Sequence, residues 1–178
     1  MARYAALLGS INVGGNRLKM ADLLKALESQ GFSSVSTVVA SGNVLFEHAR
    51  AGDDALADQI AAIVKNDFAI DSLVAVRTRA EIQSAIEDNP FHGDGEDRFV
   101  HSIFLERQPE EARFDALLAE HQAKGGERLA LGPRVLYLDY VHGVGVSSLT
   151  GPFLQRRLGV RGTARNMTSL KRIHEKMA

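Results

Sequence analysis

Two spacings of apolar residues alternate along the chain, and together they predict its elements. Residues 5–13 form an apolar run of strand length. From 20 to 30, Met20, Leu23, Leu24 and Leu27 recur at the spacing of one helix face, and Gly31 follows as a helix stop. Two short β-rich runs, 35–40 and 44–46, flank Ser41-Gly42-Asn43, three turn-type residues that predict a hairpin or a bulge. A helix over 56–68 presents Leu56, Ile60, Ile63 and Val64 on one side, and 73–76 is a strand. A helix over 79–86 stops near Asn89-Pro90, because the residue before proline avoids helical backbone.

The second half repeats that order. A strand over 99–105 precedes a helix over 110–121 that carries Phe114, Leu117 and Leu118. Strands over 128–131 and 135–140 are joined by Gly132-Pro133. A helix over 153–158, a short strand over 162–165 and a helix over 167–177 with Asn166 as its N-cap close the chain. Each half reads β-α-β-β-α-β with an additional helix, the split βαβ order of ferredoxin-like plaits. The predicted fold class is α+β: two tandem ferredoxin-like units (αβ-plaits), each an antiparallel sheet with helices packed on one face, plus extra helices. The polar, glycine-containing stretch 92–97 is the expected boundary. It separates an N-terminal unit over 1–92 from a C-terminal unit over 97–178 with a basic terminal helix. The halves share element order and no residue-level repeat.

Composition narrows the chemistry. The 178 residues are 45% hydrophobic and 24% charged, enough apolar content at this length to bury a core. The absence of cysteine removes disulfides, thiolate metal sites and thiol catalysis. The first residues run straight into a strand with no signal-peptide pattern, and no apolar run approaches the roughly 20 residues of a membrane helix. A soluble, cytoplasmic protein with no membrane partner is the expectation. The net charge of −1 conceals an asymmetry. Residues 151–178 hold seven basic side chains (Arg156, Arg157, Arg161, Arg165, Lys171, Arg172 and Lys176) against Glu175 alone. Such a segment either attracts anions, phosphate or nucleic acid among them, or pairs as a solvated face with the acidic body.

Several ordered motifs stand together: Ile11-Asn12-Val13-Gly14-Gly15, Lys19-Met20-Ala21-Asp22-Leu23, Ser41-Gly42-Asn43-Val44, Asn89-Pro90-Phe91, Gly143-Val144-Gly145 and Arg165-Asn166. In this combination the chain resembles the bacterial family known as domain of unknown function 1697, from the first strand to the last helix. The resemblance implies a tandem αβ-plait fold, in agreement with the element order. The family has no established function, so the resemblance implies no reaction. Three positions depart from its pattern. Gly9-Ser10 stands where Arg-Gly is usual before the Ile-Asn pair. Ser147-Ser148-Leu149-Thr150 lacks the family's lysine, and Met167 replaces a tryptophan.

Three stretches are candidate sites. The first is the run from Asn12 through Gly14, Gly15, Arg17 and Lys19. It matches neither Gly-x-x-x-x-Gly-Lys-Ser/Thr nor Gly-x-Gly-x-x-Gly. What it offers is a strand, a Gly-Gly turn and a helix start, whose free N–H groups favour an anion. The glycines admit close approach to the backbone, Arg17 adds a forked donor pair, and Lys19 adds a point charge. Read structurally, the glycines only turn the chain. The second stretch is Ser41-Gly42-Asn43. In a plait its strand lies beside the first, so Asn12 and Asn43 face one loop region; read structurally, they are turn residues. The third, residues 140–148, runs from a strand through a glycine loop to a helix start near Ser148 or Thr150. Arg156, Arg157 and Arg165 are its expected basic neighbours, and helix capping is the structural alternative.

The remaining chemistry is thin. The six histidines show no His-x-x-x-His spacing and no acidic cluster, so neither a metal nor a cofactor is expected. No Gly-x-Ser-x-Gly elbow is present. With 6% aromatic residues and no tryptophan, base-stacking platforms are scarce, which leaves nucleic acid a weaker partner than a phosphate-bearing small molecule. Three functions follow as expectations. The leading one is binding of an anionic, phosphate-bearing small molecule or a nucleic-acid backbone through Asn12, Gly14, Gly15, Arg17, Lys19, Ser41 and Asn43, with Arg165. The second is an acylphosphatase-like hydrolase using Arg17 and Asn43, by analogy of fold and position. The third is a protein-interaction module with an exposed apolar patch.

Overall fold

The computed structural model describes residues 1–11, 15, 17–39, 42–49 and 53–178. The chain divides into two compact units, one of Met1–Gln83 with Lys171–Ala178 and the other of Ser84–Leu170. In the first, β1 (Ala2–Leu8), α1 (Met20–Ser29), β2 (Ser33–Thr37), β3 (Asn43–His48), α2 (Asp53–Phe68) and β4 (Val74–Thr78) follow in order. Its antiparallel sheet has the strand order β2-β3-β1-β4, that of a ferredoxin-like plait. After α3 (Arg79–Glu87), the second unit runs β5 (Val100–Leu105), α4 (Glu111–Gln122), β6 (Arg128–Gly132), β7 (Val135–Asp139), α5 (Gly151–Leu158) and β8 (Gly162–Asn166). Its order β6-β7-β5-β8 repeats the first sheet's topology. The last helix, α6 (Met167–Lys176), starts in the second unit, and its residues from Lys171 onward belong to the first.

Each core follows from the strand period. In β1, Tyr4, Ala6 and Leu8 point to one face and meet Val44 and Phe46 of β3 and Val76 of β4. Leu23 and Leu27 of α1 and Leu56, Ile60 and Val64 of α2 close over them. Tyr4 stacks on Phe46 at 5.5 Å between ring centres, and Phe32 meets Phe46 edge-on at 5.0 Å. The alternate residues Ala5, Leu7 and Leu45 are equally buried. The expectation of one covered face is therefore incomplete: both faces of the central strands leave water. That is why the run Tyr4 to Leu8 of β1 reads as unbroken apolar rather than alternating. In the second unit, Ile103, Leu105, Leu136 and Leu138 pack with Phe114, Leu117, Leu154 and Leu158.

Boundaries moved where backbone geometry intervened. The first strand stops at Leu8 rather than reaching 13, because Gly9 N donates to Leu73 O and Ser10 turns the chain at φ 59°. A single 3-10 turn, Val144–Val146, was not expected. The predicted Asn166 cap is in place, its Oδ1 accepting from Ser169 N (2.9 Å), and of the two candidate starts of α5 it is Thr150 that caps, its Oγ1 accepting from Phe153 N (3.3 Å). Phe46 is fully buried at the centre of the first core. Phe46→Ala is expected to lower stability by about 3–5 kcal/mol, read as a reduced urea midpoint at unchanged slope.

Candidate functional site

The register of the first sheet brings two of the sequence candidates to one end of it. Leu7 pairs with Asn43, and Leu8 N donates to Gly42 O at 2.8 Å. Leu8 also pairs with Val74, and the buried Ser72 hydroxyl donates to Gly9 O at 2.6 Å. The exit from β1, the entry to β3 and the approach to β4 therefore converge. Asn12, Gly14 and Ser41 lie outside the described residues. Gly15 is exposed, and a Cβ there would meet nothing within 4 Å. Arg17 and Lys19 are exposed on either side of Leu18, whose side chain is held in the core.

The start of α1 breaks a local rule. Its N-cap residue is Lys19, which carries only donors and so cannot accept from the helix's first N–H groups. The Lys19 carbonyl serves the turn instead, accepting from Asp22 N (3.1 Å) and Leu23 N (3.2 Å). A cation at this end opposes the helix dipole, and Asp22 is the single acid in the first turn.

Asn43 has a structural task. It is buried, and its Nδ2 donates to Val39 O at 2.8 Å while its own carbonyl accepts from Val38 N. Val39 (φ 52°) and Gly42 (φ 94°) carry the left-handed backbone of this turn. A β-branched residue there is strained, and the Asn43 amide helps to hold it. Arg165, on β8 of the second unit, donates from Nη1 to Thr163 Oγ1 and to Ala164 O, both at 2.8 Å. Burial pushes its guanidinium down to about 10, so it keeps its charge at neutral pH.

The third sequence candidate is organised around Glu127. Its Oε1 accepts from the Ser147 hydroxyl at 2.6 Å, and its Oε2 lies 3.2 Å from Nε2 of the buried His121. Ser147 Oγ also accepts from Leu149 N (3.0 Å), which seats the loop ahead of α5. Burial works against the Glu127 charge, but the Ser147 hydroxyl, the Glu127 backbone, His121 and His142 together hold its carboxyl below the usual range. Arg157, an expected neighbour of this loop, pairs instead with Glu120 at 2.9 Å. Val144 and Val146 are exposed there. Among the described residues no group of three or more histidine or acidic side chains is placed to hold a metal, and no helix is long and apolar enough to cross a membrane.

Arg172 and Lys176 of the basic C-terminal segment line a cavity of about 290 Å³ in the first unit together with Arg3, which the sequence reading did not single out. Arg172 and Lys176 stand one helical turn apart. Arg3 joins them through the fold.

Two substitutions test these assignments. Asn43→Ala leaves the Val39 carbonyl without its amide partner and is expected to cost about 1–3 kcal/mol in urea denaturation. Glu127 has a lowered folded-state pKa, so its contribution is complete above the unfolded glutamate value and fades as pH falls through the folded one. Glu127→Gln is therefore expected to lower the melting temperature at neutral pH, with the difference from wild type shrinking below the ordinary glutamate range.

Comparison with known proteins adds to this geometry. No curated protein sequence matches the chain. A solved structure, that of a conserved bacterial protein from Streptococcus pneumoniae, superposes with a TM-score of 0.72 over 99% of this chain and 98% of that one. At 20% identity the likeness speaks to the fold alone. A family model described as protein of unknown function (DUF1697) matches residues 1–137, which takes in the whole sheet-end region and most of the second sheet. On that match the chain belongs to the DUF1697 family.

Proposed function

We propose that this protein binds an anionic, phosphate-bearing ligand at the end of the first sheet where α1 begins. The observation that carries the reading is the lysine at the helix N-cap. Lys19 places a cation at the positive end of a helix whose cap residue offers no side-chain acceptor, an arrangement that an anion relieves, and Arg17 is exposed two residues before it. Gly15 leaves open space in which a ligand can approach the backbone. In this reading Asn12, Gly14 and Ser41 complete the loops, and Asn43 shapes the turn from behind. In the acylphosphatase-like alternative Asn43 would hold a water with its amide nitrogen, one of whose two N–H groups is given to Val39 O.

A ligand that binds only the folded state raises the melting temperature by mass action. In a thermal-shift panel of inorganic phosphate, nucleotides, sugar phosphates and short oligonucleotides, at least one compound is expected to stabilise the protein more at low salt than at high salt. That shift should be lost in Arg17→Ala. A panel in which no stabilising anion loses its effect in Arg17→Ala removes this site, and a panel without any response removes the function.

A further inference from the structure

The 290 Å³ cavity lies in the first unit, on the sheet face opposite the α1/α2 core. Its walls come from the end of β2 and from Val38 and Val39 beyond it, from Arg3 of β1 and Leu45 of β3, and from the C-terminal part of α6. Arg3 ties these elements together. Its Nη1 sits 3.5 Å from Glu47 Oε1, and its Nη2 donates to Lys176 O at 3.5 Å. Its Nε is buried with no hydrogen-bond partner among the described residues. Across the cavity stand Arg172 and Lys176, exposed and with no ion pair among the described residues.

This arrangement works against the protein alone. Arg172 and Lys176 are four apart on one helix, and like charges at that spacing repel. The helix C-terminal dipole rewards Lys176, the last residue of α6, but does not extend to Arg172, a full turn earlier. Arg3 adds a third cation, and Glu47 is the acid that faces it. Ser36 and Thr37 supply hydroxyls, and Leu45 supplies an apolar wall. Three cations and two hydroxyls around a dent with one oily side match a phosphate group carrying a small organic body. The volume is at the lower end of small-molecule clefts, about 300–1,000 Å³, too little for a dinucleotide.

We infer that this cavity is a second anion site, independent of the one at α1, and that it takes a small organic phosphate monoester between β2 and α6. The phosphate would engage the guanidinium of Arg3 with Arg172 and Lys176. The organic body would lie on Leu45.

The test is titration calorimetry of the full chain with phenyl phosphate, inorganic phosphate and a twelve-nucleotide thymidine strand. The proteins are wild type, the double variant Arg172→Gln/Lys176→Gln, and Arg17→Ala. Both exchanged cations are exposed, so the double variant should fold, which an unchanged circular dichroism spectrum checks. Phenyl phosphate is expected to bind more tightly than inorganic phosphate, and to weaken about tenfold or more in the double variant. Its affinity should be unchanged in Arg17→Ala, which separates this site from the one at α1. Equal phenyl phosphate affinity in wild type and double variant, or no heat with either phosphate, overturns the inference. A thymidine strand that binds more tightly than phenyl phosphate and weakens in the double variant assigns the groove to a nucleic-acid backbone and overturns the ligand class.

Discussion

Everything in the first unit hangs on β1 holding two ladders at once. It pairs with β3 on one side and β4 on the other, antiparallel in both cases, with both faces out of water. A strand so placed resists slipping by a residue, because the slip would turn Arg3 into the core face that Tyr4 fills. With the register set, the loops after β1 and before β3 must meet at one end, and Arg3 must project on the face away from the main core. Both anion sites proposed above inherit their geometry from that constraint. In the second unit β5 has the same central place between β7 and β8.

The charge asymmetry of the sequence resolves into two behaviours. Part of the basic C-terminal segment pairs with the acidic body: Arg157 with Glu120, and Arg161 with Glu106 through both its Nε and its backbone N. Burial opposes the Glu106 charge, but the hydrogen bonds from Arg161 outweigh it and keep the carboxyl below its ordinary range. These are surface pairs of modest worth, and they account for the solvated-face reading. Arg172 and Lys176 belong to the other behaviour. They share a helix face beside a cavity rather than beside carboxylates. Charge that is not spent on pairing is what a binding surface requires.

Left-handed backbone occurs at several non-glycine residues, some of them in the loops of the candidate stretches. Ser10, Val39 and Val141 all adopt positive φ without being glycine, each just beyond a strand end. For the two valines the cost is larger, since a β-branched side chain crowds the left-handed region. Neighbouring side chains hold them: Asn43 bonds the Val39 carbonyl, and Asp139 Oδ1 accepts from Val141 N at 3.0 Å. Around Val141 the His142 N–H closes onto Tyr140 O at 2.6 Å, a three-residue turn. Such turns persist where the surroundings over-determine them.

The sequence by itself determined the elements and their order. Apolar spacing at 3.6 and 2 residues is a local property, so α1, α2 and the strand pairs were legible, as were the Asn166 and Thr150 caps, whose chemistry lies within three residues. The plait topology followed, because few arrangements satisfy βαββαβ. Lys19 at the start of α1 was equally legible, but its meaning was not, since a cation at an N-cap counts against the helix only once the helix is seen to begin there. For Asn43 the sequence allows both a ligand-facing and a turn role, and only the fold shows its amide bonded to Val39 O. Arg3 and Arg172 are separated by nearly the whole chain, and no local pattern links them. Their meeting across one cavity was decided by the tertiary structure alone, through the β1 register and the return of the last helix to the first unit.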